Sequence, residues 1–120
     1  MKSKEEILAI ISHAIATESY HKYSPLPGYP VITDGVLALA EAVGCYWLLD
    51  VIGSHQSNKQ LDKEFQVWKL EVDVENGKGV VRGYNDTELI VTQEIPFTDF
   101  PLAELKLFLM DGILLIPSER

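Results

Sequence analysis

The side chains in this chain with chemistry to offer are three histidines, one cysteine and eighteen acids. Zinc favours ligands at set spacings, such as i and i+4 on one helix face. His13 and His21 are eight apart, and His55 falls on a different element, so no metal site and no cofactor are expected. Cys45 opens an apolar run where a helix dipole could favour a thiolate, but the adjoining Tyr46-Trp47 marks it as a small packed hydrophobe. Asp50 interrupts Tyr46-Trp-Leu-Leu-Asp-Val-Ile52, with Ser54 one turn later on the same face. Buried alone, that carboxylate would cost several kcal/mol. A hydrogen bond to nearby backbone or to a Tyr or Trp ring accounts for it. The alternative is an enzyme in which Asp50 and Ser54 work with His21 or His55 in a cleft between helices and sheet. Asp34 and Asp99 each adjoin a threonine at an element boundary, where capping explains them. Gly35 and Gly77-Lys-Gly79 do not follow a strand and open a helix, so neither is a phosphate loop.

A second group of acids suggests binding rather than reaction. Glu71, Asp73 and Glu75 alternate along a predicted strand, so their carboxylates share one face at intervals of about 6.6 Å. A neighbouring strand about 4.8 Å away would add Glu94. Duplex DNA carries one charge per ~1.7 Å of axis, so such a face attracts a basic nucleic-acid-binding surface without replicating the duplex. Solubility alone also accounts for it. Tyr20, Tyr23 and Tyr29 surround a proline-rich loop, and Tyr29 is a candidate member of an interface rim.

The elements that would position these residues divide the chain into halves. Ser3 and Glu6 form a capping box, and Ile7, Ile10, Ile11, Ala14 and Ile15 make one stripe of a helix over Lys4–Tyr20. Tyr23-Ser-Pro-Leu-Pro-Gly-Tyr-Pro30 cannot be helical and reads as a surface loop ending in a short extended piece at Val31-Ile32. Thr33 is an N-cap for a helix over Gly35–Val43, with Gly44 as its left-handed terminator. A third, strongly apolar helix spans Cys45–Gln56.

From Glu64 the period changes to two. Trp68, Leu70, Val72 and Val74 face inward, and Asn76-Gly77 predicts a type I′ hairpin with positive φ at both residues. Strands follow at Val80–Tyr84 and Leu89–Ile95. Glu104–Met110 reads as strand, with helix as the alternative, because Asp111-Gly112 and Ile113–Ile116 complete a hairpin signature. The prediction is one α+β domain over residues 1–120. About three N-terminal helices pack on an antiparallel sheet of about five C-terminal strands, joined as a meander or as hairpins.

Length and charge bound the function. A chain of this size buries roughly 65% of its unfolded surface, so it needs no disulfide or metal to fold. No stretch approaches the ~18 apolar residues of a membrane span, and an acidic start argues against a secretory leader, so a cytoplasmic setting is expected. The net charge is −8. Residues 1–70 hold eight acids and six bases, whereas residues 71–119 hold ten acids and three bases. That asymmetry disfavours direct binding to nucleic acid or anionic membrane and suits a basic protein or nucleoprotein partner.

Five strings carry a resemblance: Thr33-Asp-Gly-Val36, Tyr46-Trp-Leu-Leu-Asp50, Phe65-Gln-Val-Trp-Lys-Leu70, Phe97-Thr-Asp-Phe-Pro-Leu102 and Leu115-Ile-Pro-Ser-Glu119. Together, in this order, they resemble a family of small bacterial, phage and mobile-element proteins catalogued as a domain of unknown function. Arg120 departs from the family pattern, where an aromatic is expected, as does the Tyr84-Asn85-Asp86 turn. The resemblance implies a prokaryotic or phage setting and carries no catalytic residue. By analogy with anti-CRISPR proteins, it implies an acidic, non-catalytic inhibitor of a nucleic-acid-handling host complex. A plain homo-oligomerisation module, pairing an exposed edge strand with its twin, is the third expectation.

Overall fold

The computed structural model describes residues 3–13 and 19–120. The capping box at its start forms as the sequence dictates. The Glu6 amide donates to Ser3 Oγ at 3.2 Å, and Glu6 Oε1 accepts from the Ser3 amide at 3.3 Å. Helix α1 (Lys4–His13) follows, burying Ile7 completely. The predicted continuation through Ala14 and Ile15 lies outside the described residues. Tyr20 is not the helix end that the stripe predicts, because Tyr20–His21 forms a short strand, β1, that pairs with β2 (Val31–Thr33).

Helix α2 (Asp34–Val43) has both expected caps. The Val36 amide donates to Thr33 Oγ1 at 3.2 Å. Gly44 adopts φ +67°, and its amide donates to Ala40 O at 2.8 Å. Helix α3 (Tyr46–Ser54) completes the helical layer.

The second half supplies β3 (Phe65–Asp73), β4 (Lys78–Asn85), β5 (Glu88–Ile95), β6 (Glu104–Met110) and β7 (Ile113–Leu115). Glu104–Met110 is thus strand, not helix. The Asp111-Gly112 turn has positive φ at both residues, +51° and +81°, as a two-residue hairpin of this type requires. The β3–β4 turn differs from expectation. It spans four residues, Val74–Gly77, and of these only Gly77 has positive φ. Asp73 explains the difference: its carboxylate accepts from the Asn76 amide at 3.3 Å and from Asn76 Nδ2 at 2.7 Å, holding Asn76 in a right-handed turn.

All seven strands join one sheet in the order β1-β2-β7-β6-β3-β4-β5. Three expectations are corrected here. The C-terminal strands are not a simple meander, because β6 pairs with β3 rather than with β5. The sheet has seven strands rather than five, because the extended pieces of the N-terminal half join it. It is also mixed rather than antiparallel throughout, because β2 runs parallel to β7. The physical cause is the proline loop, which returns the chain beside β7 with Ile32 and Leu114 aligned and wholly buried.

The helices cover one face. Leu48 and Ile52 of α3 meet Trp68, Leu70, Val81, Leu105 and Leu107, while α2 packs over β2 and β7, and α1 over α2. Gly83 permits that packing, since a Cβ there would lie 2.6 Å from the Trp68 ring. The wholly buried Gln66 exchanges amide hydrogen bonds with Gln56 at 2.9 and 3.0 Å and accepts from Trp68 Nε1 at 2.8 Å. Among the described residues, no α-helix packs on the opposite face of the sheet.

Candidate functional site on the open sheet face

Strand register, more than any single residue, organises the open face. Side chains alternate along each strand, so outward-facing partners line up in rows across the sheet. The first row is apolar: Leu89, Tyr84, Val67, Phe108 and Leu115. The second is cationic: Thr92, Arg82, Lys69 and Lys106. The third is acidic: Glu94, Val80, Glu71 and Glu104. Asp73 and Lys78 stand beyond it at the end of β3.

The acidic residues read from the sequence therefore gather at one end of the sheet, in an arrangement different from a single-strand stripe. Glu71 and Asp73 share the open face, and Glu94 reaches the Glu71 row from β5. Glu75 is not on the strand; it lies in the four-residue turn beyond the end of β3. Asp99 and Glu104 join this end, making six exposed carboxylates against Lys78 and Arg82. Glu71 is bound to Arg82, Oε1 to Nη1 at 2.6 Å. Asp73 is occupied by Asn76, whose side-chain and backbone hydrogen bonds hold its carboxyl below the usual aspartate range.

Sequence reasoning missed the apolar feature at this end. Phe97 is 87% exposed and Val74 is 50% exposed. The Thr98 amide donates to Gly77 O at 2.8 Å, fixing the segment after β5 against the turn that carries Val74. Pro96-Phe97 after an alternating run signals a strand end. Its position beside the β3–β4 turn emerges only from the pairing.

The residues of the alternative enzyme site do not converge. Asp50 and Ser54 are exposed on α3, and Ser54 Oγ donates to Val51 O at 2.7 Å. His21 Nε2 lies 2.7 Å from Asp34 Oδ1 at the start of α2. His55 Nε2 meets Gln93 Oε1 at 2.7 Å and stacks on Trp68. No hydrogen bond joins Asp50 to either histidine among the described residues. Tyr23's phenol is raised well above its usual range, by burial first and by Asp50 and Tyr29 after it. Tyr23 donates to Leu49 O at 2.7 Å. Tyr29 is half-buried and packs where Gly53 leaves room for its ring, a Cβ there lying 2.5 Å away. Cys45 is buried, and burial pushes its thiol up to about 12. Among the described residues no three His, Cys, Asp or Glu side chains are grouped to hold a metal ion, and no helix is long and apolar enough to cross a membrane.

No curated protein and no solved structure matches the chain. A family model does, and it runs through both caps of α2, the whole sheet and the Phe97 segment. Residues 5–120 match DUF6876, a family of unknown function, and the chain belongs to that family.

Proposed function

We propose that this protein is a non-catalytic binding protein that docks on a basic protein surface through the acidic end of its sheet, with Phe97 as the anchor. The observation that carries the reading is a phenylalanine 87% exposed at an end bearing six exposed carboxylates. Large aromatics so displayed are enriched at the centres of interfaces, where their burial supplies most of the affinity. Surrounding carboxylates add long-range attraction and govern the association rate. In the bacterial or mobile-element cytoplasm implied by the family resemblance, basic surfaces of this kind belong to nucleic-acid-handling complexes. The reading therefore extends to an inhibitor that occupies such a surface.

The test is affinity capture from a prokaryotic host extract at low salt with the wild-type chain, Phe97→Ala and Glu94→Lys/Asp99→Lys. A bound basic protein should be lost with Phe97→Ala. The charge reversal should slow its association about tenfold at low salt, with little effect at high salt. Urea midpoints should be unchanged, because all three side chains are exposed. Capture that is indifferent to both variants sinks the reading.

A further inference from the structure

The cationic and apolar rows of the open face carry a feature separate from the Phe97 end. Lys69 and Lys106 stand directly opposite one another on β3 and β6, and like charges so placed destabilise a sheet. Neither meets a carboxylate at ion-pair distance among the described residues, although the chain has eighteen acids. Both line a depression of about 520 Å³ that also includes Tyr84, Phe108, Arg120 and Asp86. That volume falls within the roughly 300–1,000 Å³ of small-molecule sites. The rings there already attract cations: Lys69 Nζ lies 5.0 Å from the Tyr84 centroid, and the Arg120 guanidinium lies 5.5 Å from that of Phe108.

We propose that this depression binds a small aromatic anion of the mononucleotide class. The phosphate sits among Lys69, Lys106 and Arg120, and the base lies against Tyr84 and Phe108. A phosphate removes the repulsion between the two lysines and accepts charge-assisted hydrogen bonds from both. A planar base stacks on aromatic rings of either orientation without needing a sequence-specific partner. The zoning also sets the length of the ligand. Lys69 and Lys106 stand in one row with Glu71 and Glu104 on one side; on the other comes the aromatic row, where Arg120 lies over Phe65 and Phe108, and then Asp86 in the wall of the depression. A polyphosphate strand extending past that row would run into carboxylates, in a chain of net charge −8. One phosphate and one base fit; a strand does not.

Calorimetric and NMR titrations with adenosine monophosphate at low ionic strength test this, alongside adenosine, inorganic phosphate and a short oligoadenylate. Saturable binding of the monophosphate is expected, with shifts at Tyr84 and Phe108. Adenosine and phosphate should each bind at least about tenfold more weakly. Lys69→Met and Lys106→Met should each weaken monophosphate binding about tenfold, while Lys59→Met, a lysine outside the depression, leaves it unchanged. Melting temperatures of the two pocket variants should hold or rise, because a repulsion is removed; this separates lost ligation from lost folding. Three results overturn the proposal: no saturable binding, equal loss with Lys59→Met, or tighter binding of the oligoadenylate. None of them touches the Phe97 reading, which uses the other end of the face.

Discussion

At the residue scale, Glu119 ties the C-terminal end of the chain to the start of α2. Its Oε1 accepts from Thr33 Oγ1 at 2.7 Å and from the Ile116 amide at 2.9 Å, and its Oε2 accepts from the Gly35 amide at 3.2 Å. One carboxylate thereby satisfies donors at the start of α2 and complements the helix dipole there. Gly35 is required by the same contact, since a Cβ would lie 2.8 Å from the Glu119 carboxylate. Gly35→Ala and Glu119→Ala should each cost about 1–3 kcal/mol in urea denaturation. The double variant should cost clearly less than their sum, because the added methyl then meets no carboxylate. Additive losses would show that the two residues do not share this contact.

At the scale of elements, the helix layer is seated on the sheet by the pairing of Gly83 with Trp68. Gly83→Ala should lower stability by about 1–3 kcal/mol through displacement of the Trp68 ring, read as a blue or red shift of tryptophan emission together with a lower urea midpoint. An unaltered spectrum and midpoint would mean that the ring has room to yield. Local signals made most elements legible: Ser3 and Glu6 start α1, Thr33 and Gly44 delimit α2, and alternation gives β3 and β6. What the sequence concealed depends on long-range pairing. Val31–Thr33 is too short to announce itself as a sheet strand until β7 lies beside it. Lys69, Arg82 and Lys106 become a row only once three strands are in register. Asp73 and Glu71 were legible as open-face acids, but their partners Asn76 and Arg82 were not. Glu75 left the stripe because Asp73 recruits four residues into the turn.

At the scale of the whole molecule, the open face is polarised, with aromatics and lysines at one end and carboxylates with Phe97 at the other. The opposite side is sealed, and Cys45 measures how well. It is 2% exposed, and burial pushes its thiol up to about 12, so it is both inaccessible and protonated near neutrality. Alkylation at mildly alkaline pH should be very slow in the native protein and should rise with urea in parallel with global unfolding. Rapid labelling without denaturant would reveal a local opening at the α2–α3 junction instead. The place of β7 between β2 and β6 has a kinetic consequence. The hairpins β3–β4 and β4–β5 close between near neighbours in the chain, whereas Val31 must find Ile113 before β2 has any place in the sheet. Loop closure over that separation is slow relative to hairpin formation. Refolding therefore assembles the C-terminal strands first, and the amino-terminal third docks last, onto an edge of β7 that stays uncovered until then.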